Sequence, residues 1–180
     1  MTKQLRTGMI LGATLLVTQL GFADTYKSTA GMSRMENEVR RELVTLPFYS
    51  LFDNFTFRVD GGTVTLMGKV SRPTLKSDAE NLVKKIEGVE AVSNQIEVLP
   101  LSPNDDRLRL ALYHSIYGHS VLQTLSIRAF PPIHIIVDQG NVTLEGVVPN
   151  EMQKQIAGTQ ANLVAGVFSV TNNLRVESKN

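Results

Sequence analysis

Residues 60–70 read DGGTVTLMGKV and residues 138–148 read DQGNVTLEGVV, so one pattern recurs 78 residues further along the chain. A second pair lies at the same spacing, because residues 88–98 read GVEAVSNQIEV and residues 166–176 read GVFSVTNNLRV. Two separate segments that match at one spacing indicate duplication of a whole structural unit. The sequence therefore predicts two domains of one fold, since two copies are too few for a solenoid.

The first copy is predicted to begin with a helix over 33–46, where apolar residues recur at helical spacing. A strand over 55–60 follows, and the glycines of a tight turn over 60–62 lead into a second strand that pairs back. A helix over 73–87 and a third strand over 89–98 complete the unit. This α-β-β-α-β order predicts an α+β fold, a two-layer sandwich with two helices over one face of a sheet.

The second copy repeats the order, with strands over 133–138 and 142–148, a helix over 150–165 and a last strand over 167–176. Gly158 lies inside that helix and predicts a less stable helix than its counterpart.

The domain boundaries follow from these elements. The first domain is predicted over 33–99 and the second over 105–177, joined by a linker over 100–104 that contains two prolines. Proline ends the preceding strand and keeps the linker extended. Asn104 or Asp105 is then expected to cap the first helix of the second domain.

The N-terminus predicts an exported protein. Residues 1–23 have two basic residues, an apolar stretch over 9–20 and small residues before Asp24, which is the layout of a signal peptide cleaved after Ala23. Cleavage leaves 16 basic and 17 acidic residues, so no general positive charge remains to attract nucleic acid. The chain has no cysteine, which excludes disulfides and thiolate metal sites and fits a bacterial envelope.

The repeated motifs resemble the BON domain, and the resemblance covers about 36–99 and 105–177. It is carried by four segments: 64–70, 88–96, 142–148 and 166–174. A signal peptide with two such domains is similar to the osmotically inducible periplasmic proteins of Gram-negative bacteria. The resemblance implies a periplasmic location, binding to phospholipid or another envelope component, a part in envelope and osmotic stress tolerance, and no catalytic centre.

Six motif residues are interpreted as structural: Gly68, Gly88, Asn94, Gly146, Gly166 and Asn172. The glycine of each second strand is expected to allow a bulge or a close approach of a helix. The glycine after each second helix is expected to end that helix in a left-handed conformation. The two asparagines are expected to bond neighbouring backbone. These residues identify the fold rather than a ligand.

The connection over 118–132 in the second copy is the candidate functional segment, because it is apolar for a loop. Five of its residues are predicted to contact lipid: Leu122, Leu125, Ile127, Arg128 and Phe130. Exposed apolar groups beside a cation are what interfacial lipid binding requires. The alternative is that these residues pack against the first domain or extend the core.

No residue pattern indicates catalysis, a cofactor, a metal ion or a small-molecule substrate. His114 and His119 are five residues apart, a poor spacing for one helix face, and a zinc site without cysteine would also need carboxylates. The predicted function is therefore a non-enzymatic periplasmic binding protein with a phospholipid surface or an envelope protein as partner. The alternative is a protein–protein adaptor that uses its sheet edges or domain surfaces.

Overall fold

Each half of the chain folds into a mixed sheet of four strands covered by helices. The computed structural model describes residues 34–128 and 130–177, so the predicted signal peptide lies outside the described residues. Within these two ranges, no helix is both long enough and apolar enough to cross a bilayer.

The first domain has the predicted order of elements: α1 (34–44), β1 (Asn54–Asp60), β2 (Thr63–Val70), α2 (Pro73–Val83), β3 (Ala91–Asn94) and β4 (Glu97–Val98). The second domain repeats it with one addition: α3 (Pro103–Tyr117), α4 (Gln123–Ser126), β5 (Ile133–Asp138), β6 (Asn141–Val148), α5 (Glu151–Asn162), β7 (Ser169–Asn172) and β8 (Arg175–Val176). The predicted α+β class and the tandem arrangement are confirmed. The short helix α4 was not predicted.

The second strand of each domain lies at the centre of its sheet. In the first domain, β2 pairs antiparallel with β1, closing the hairpin at Asp60 and Thr63, and pairs parallel with β3 and β4 on its other side. Alternate residues of a strand point to one face, and Val64, Leu66 and Val70 of β2 are buried in one core cluster with apolar residues of α1 and α2. The helices therefore cover one face and leave the other face of the sheet without a helix.

The predicted third strand is interrupted in both domains. In the first, Gln95 and Ile96 separate β3 from β4, opposite the part of β2 that contains Gly68. The side-chain oxygen of Asn94 accepts a hydrogen bond from the Ile96 amide at 3.2 Å and turns the chain there. The prediction of one continuous strand over 89–98 was therefore wrong, because a local side-chain bond replaces part of the ladder.

One helix end and one helix cap also differ from the prediction. α2 ends at Val83, and short-range bonds such as Ile86 N to Val83 O continue the turn until Gly88, whose φ is 90°. The cap of α3 is Ser102, whose side chain accepts from the Asp105 amide, rather than Asn104 or Asp105. The Asp105 carboxylate is buried and instead accepts hydrogen bonds from the main-chain amides of Gln139 and Gly140.

Residues 49–53, called the strap here, connect the first domain to the second. The Leu51 carbonyl accepts a hydrogen bond from the Ile135 amide of β5 at 2.7 Å, and Leu51 and Phe52 pack against the core of the second domain. A separate ion pair joins Lys69 of β2 to Asp138 of β5 at 2.7 Å. The two domains therefore share both apolar and polar contacts.

The half-buried histidine of this interface, His134, predicts a pH dependence of stability. His134 Nδ1 lies 2.7 Å from the Asp53 carbonyl, and burial lowers its pKa below the usual 6.5 although Asp53 and Glu145 oppose the shift. The unfolded chain takes up a proton near pH 6.5 while the folded chain resists it, so stability is lost as the pH falls through this region. We expect a slope of up to about 1.4 kcal/mol per pH unit in urea unfolding.

This slope should disappear in His134→Gln and persist in His114→Gln, because His114 is exposed. Urea titrations at several pH values between 5 and 8 measure it. An unchanged slope in His134→Gln would mean that other groups control the pH response.

Candidate functional site

The connection between α3 and β5 is divided by the fold into a buried part and an exposed part. Leu122 and Leu125 are 0% and 2% exposed and belong to the core of the second domain. Their spacing of three residues places both on the inner side of the short α4 turn. The expectation that they contact lipid is therefore corrected, because both side chains are buried in the core of the second domain.

The exposed part follows α4 directly. Ile127 is 84% exposed and Phe130 is 62% exposed, and Arg128 between them is also exposed. These side chains stand on the surface just before β5 begins at Ile133. The structure therefore keeps three of the five predicted contact residues at the surface.

The exposed residues project from an anchored segment. The Tyr117 hydroxyl donates to the Ile133 carbonyl at 2.8 Å and accepts from the Ile133 amide at 3.0 Å, which ties the end of α3 to the start of β5. Burial raises the pKa of Tyr117, so the phenol stays neutral and makes both bonds. The Gln153 side chain of α5 donates to the Val121 carbonyl at 3.3 Å. These bonds hold the two ends of the connection and its first residues up to Val121.

The first domain has a similar feature in its own α1–β1 connection, which was not predicted from the sequence. Phe48 is 68% exposed, and the Arg72 guanidinium carbon lies 5.0 Å from the centre of its ring. Phe48 also has a φ of 68°, a left-handed conformation that is strained for a bulky residue. In each domain, the connection before the first strand therefore has an exposed phenylalanine. An arginine accompanies it, Arg72 from the cap of α2 in the first domain and Arg128 from the same connection in the second. Only Pro47, which marks a turn before Phe48, hinted at it in the sequence.

The repeated asparagines tie the second helix of each domain to its sheet. Asn94 Nδ2 donates to the Lys76 carbonyl at 2.9 Å, and Asn172 Nδ2 donates to the Lys154 carbonyl at 2.8 Å. In the second domain Gly158 makes room for this contact, because a side chain there would collide with the Asn172 amide. Gly158 therefore has a packing role beyond its effect on helix stability.

The repeated glycines of β2 and β6 allow a close backbone approach. Gly68 and Gly146 have φ values of 114° and 124°, and a side chain at either would collide with a carbonyl of the neighbouring strand segment, that of Asn54 or Pro132. These glycines were expected to allow either a bulge or the close approach of a helix. The structure shows that the close neighbour is the backbone of the adjacent strand segment.

Metal binding has no basis in the described ranges, where no three His, Asp or Glu side chains cluster around one point. A cleft of about 440 Å³ lies between the domains, lined by residues of α1, β1 and the second domain. It contains two glutamates and two arginines: Glu36, Arg40, Glu145 and Arg175. The cleft therefore has charges of both signs, and none of Phe48, Ile127 and Phe130 lines it.

The BON domain family model matches residues 36–100 and 120–178. None of the curated proteins matches the chain. Among solved structures, the chain is similar to the C-terminal domain of CdsD, the structural protein of the Type III secretion system of Chlamydia trachomatis, with 15% identity, a TM-score of 0.28, and coverage of 79% of this chain and 96% of that one. A second CdsD structure aligns with 15% identity and a TM-score of 0.29 over 80% of this chain and 92% of its own. TM-scores this low say nothing about function.

Proposed function

The chain belongs to the BON domain family, and from this we propose that it is a non-enzymatic protein of the bacterial periplasm that binds phospholipid surfaces and supports envelope stress tolerance. The observation that carries the lipid contact is the exposed group of Ile127, Arg128 and Phe130 on the anchored α3–β5 connection. An exported location is supported by the signal-peptide pattern of residues 1–23.

These three side chains combine apolar surface with a positive charge. Ile127 and Phe130 are large apolar groups with most of their surface in water, so transfer into the interfacial layer of a membrane stabilises the bound state. Arg128 lies between them and is placed to meet a lipid phosphate, adding about 1 kcal/mol of attraction to an anionic surface. The bonds of Tyr117 to Ile133 fix the end of the segment next to these residues, which limits the conformational freedom that is lost on binding.

The first domain supplies a second contact of the same kind. Phe48 lies exposed in the corresponding connection, and the Arg72 guanidinium, which comes from the N-terminal cap of α2, lies 5.0 Å from the centre of its ring. Two weak contacts on one chain raise the overall affinity for a surface through effective concentration, provided that both reach it together.

Co-sedimentation with vesicles tests this proposal. A chain that begins at Asp24 is mixed with phosphatidylcholine vesicles and with vesicles that also contain phosphatidylglycerol, at low and high salt. We expect binding to the anionic vesicles that weakens with salt, and a loss of about tenfold in affinity for Phe130→Ser. Arg128→Gln should lose about fivefold, and only on the anionic vesicles.

The chain offers matched controls for both substitutions. Phe168 is 85% exposed and packs near Gly140, at the opposite end of the β5–β6 hairpin from Phe130, and Arg107 is an exposed arginine of α3. Phe168→Ser and Arg107→Gln should bind like the unmodified chain. Equal losses in the controls, or no sedimentation with any vesicle, would reject the proposed contact.

A further inference from the structure

The outer strands β1 and β5 are equivalent edges of the two sheets. Phe57 lies opposite Leu66 in the first sheet, and Ile135 lies opposite Leu144 in the second, so the two hairpins have the same register 78 residues apart. An edge strand turns the main-chain groups of every second residue away from its sheet, where they can pair with another chain. The two edges differ in what covers them.

The edge of β5 is closed at three alternate residues. Tyr117 bonds both main-chain groups of Ile133, the strap carbonyl of Leu51 accepts from the Ile135 amide, and Arg109 donates to the Val137 carbonyl at 2.9 Å. These bonds also show which residues of the edge turn outward. The same register places Phe55, Phe57 and Val59 outward in β1.

The edge of β1 is covered at one end only. The Tyr49 ring stacks on the Phe55 ring with the ring centres 5.1 Å apart. Among the residues that the structure describes, none hydrogen-bonds to the outward main-chain groups of Phe57 and Val59.

The sequence of α1 explains why Val59 has no side-chain donor. The side-chain methyl carbons of Met35 and Leu108 approach Gly88 and Gly166 in the same way, which aligns α1 with α3. In that alignment Glu36 stands where the second domain has Arg109. A carboxylate cannot donate to a carbonyl, so the bond that closes β5 at its far end cannot form at β1.

The open edge enters the cleft between the domains at Phe57, and Val59 lies beyond the residues that line the cleft. Residues 54–57 of β1 line this cleft, with Glu36 and Arg40 of α1 on one wall and Glu145, Gly146 and Arg175 of the second domain on the other. An added strand lies about 4.8 Å from the edge strand, and the cleft beside residues 54–57 is an open space of about 440 Å³ that one extended chain can enter.

We propose that the β1 edge binds an extended peptide segment of another polypeptide, which adds to the first sheet as an outer strand. Its main chain pairs with Phe57 and Val59, and its side chains include both charge signs because the walls of the cleft carry two glutamates and two arginines. This site is separate from the lipid contact, since none of Ile127, Arg128 and Phe130 lines the cleft.

Amide exchange with a defined peptide tests the site. The probe is a blocked synthetic hexapeptide of alternating threonine and valine with a lysine at one end and a glutamate at the other, added at millimolar concentration to a chain that begins at Asp24. We expect the Phe57 and Val59 amides to exchange at least about tenfold more slowly with the peptide, and the Ile135 amide to stay protected throughout.

A substitution that closes the edge provides the decisive variant. Glu36→Arg places a donor where Arg109 stands in the second domain, so its guanidinium should reach the Val59 carbonyl as Arg109 reaches Val137. We expect this variant to bind the peptide with an affinity at least about tenfold lower than that of the unmodified chain. Glu42→Arg is the matched control, because it makes the same charge change on α1 outside the cleft and should bind the peptide normally.

Three results would overturn the proposal. The first is no protection of Phe57 and Val59 by the peptide. The second is equal weakening by Glu36→Arg and Glu42→Arg. The third is strong protection of both amides without peptide that vanishes when residues 24–33 are deleted, because the N-terminal segment of this chain would then occupy the edge. Phe130→Ser should leave peptide protection unchanged, which separates this site from the lipid contact.

Discussion

Replacement of Asp53 by alanine will lower the free energy of unfolding by about 3 to 5 kcal/mol. The Asp53 side chain is fully buried and accepts four hydrogen bonds, two from the amide and hydroxyl of Ser50 and two from those of Ser71, at 2.6–3.0 Å. Alanine leaves two amides without an acceptor, because the serine hydroxyls can turn toward other groups but the main chain cannot.

Because Asp53 holds the strap between the two domains, its replacement is expected to affect the second domain as well as the first. Its side chain joins the strap to the end of β2, and its own carbonyl lies against His134 of the second domain. We therefore expect the Ile135 amide, which donates to the strap, to exchange faster in Asp53→Ala. Urea unfolding followed by circular dichroism gives the stability, and amide exchange reports on the strap.

Asp60→Ala is the control, because Asp60 is exposed at the end of β1, the strand that follows the strap. It should change stability by no more than about 0.5 kcal/mol. If Asp53→Ala lost as little as the control, the carboxylate would not organise the strap, and the strap would be held by the packing of Leu51 and Phe52 and by its main-chain bonds.

Replacement of Gly146 by alanine will lower the free energy of unfolding of the second domain by about 3 kcal/mol or more. Two effects combine at this residue. Its φ of 124° lies in a region that residues with a side chain rarely adopt, and a methyl group would collide with the Pro132 carbonyl. The start of β5 would have to move away from β6, which also disturbs the bonds of Tyr117 to Ile133.

Gly61→Ala separates the two effects. Gly61 has a φ of 57°, but the space around its α-carbon is open, so alanine there meets only the conformational cost of about 1 kcal/mol. Thermal unfolding of both variants measures the difference. Equal losses would mean that the carbonyl contact at Gly146 relaxes freely and that the glycine is needed for its backbone conformation alone.

The repeat and the order of elements were predictable because they depend on local patterns. Val64, Leu66 and Val70 alternate along β2 and predict a strand with one buried face, and the paired glycines after the helices mark where each helical segment stops. The interruption at Gln95 was not predictable, because it depends on a bond between Asn94 and Ile96 that competes with the ladder. The cap of α3 was predicted at Asn104 or Asp105 and lies at Ser102, because several neighbouring residues have side chains that can cap a helix.

The candidate site was predicted as a segment, and the fold then selected residues within it. Leu122 and Ile127 are both aliphatic residues of one loop, yet one is fully buried and the other is 84% exposed. Their burial depends on how α4 packs against the core of the second domain, which the local sequence does not encode. Phe48 was missed for the converse reason, because an exposed aromatic ring near Arg72 has the same sequence appearance as a core residue.

The amino-acid sequence by itself determined the family, the duplication and the α-β-β-α-β order, because each follows from the periodicity of apolar residues and from glycines at fixed positions. Tertiary structure alone decided which edge strand is closed and which is open. That difference depends on residues far apart in the chain, with Leu51 and Arg109 meeting β5 while Glu36 stands beside β1. Main-chain groups are the same in every residue, so only the arrangement of their neighbours in space determines whether they are paired.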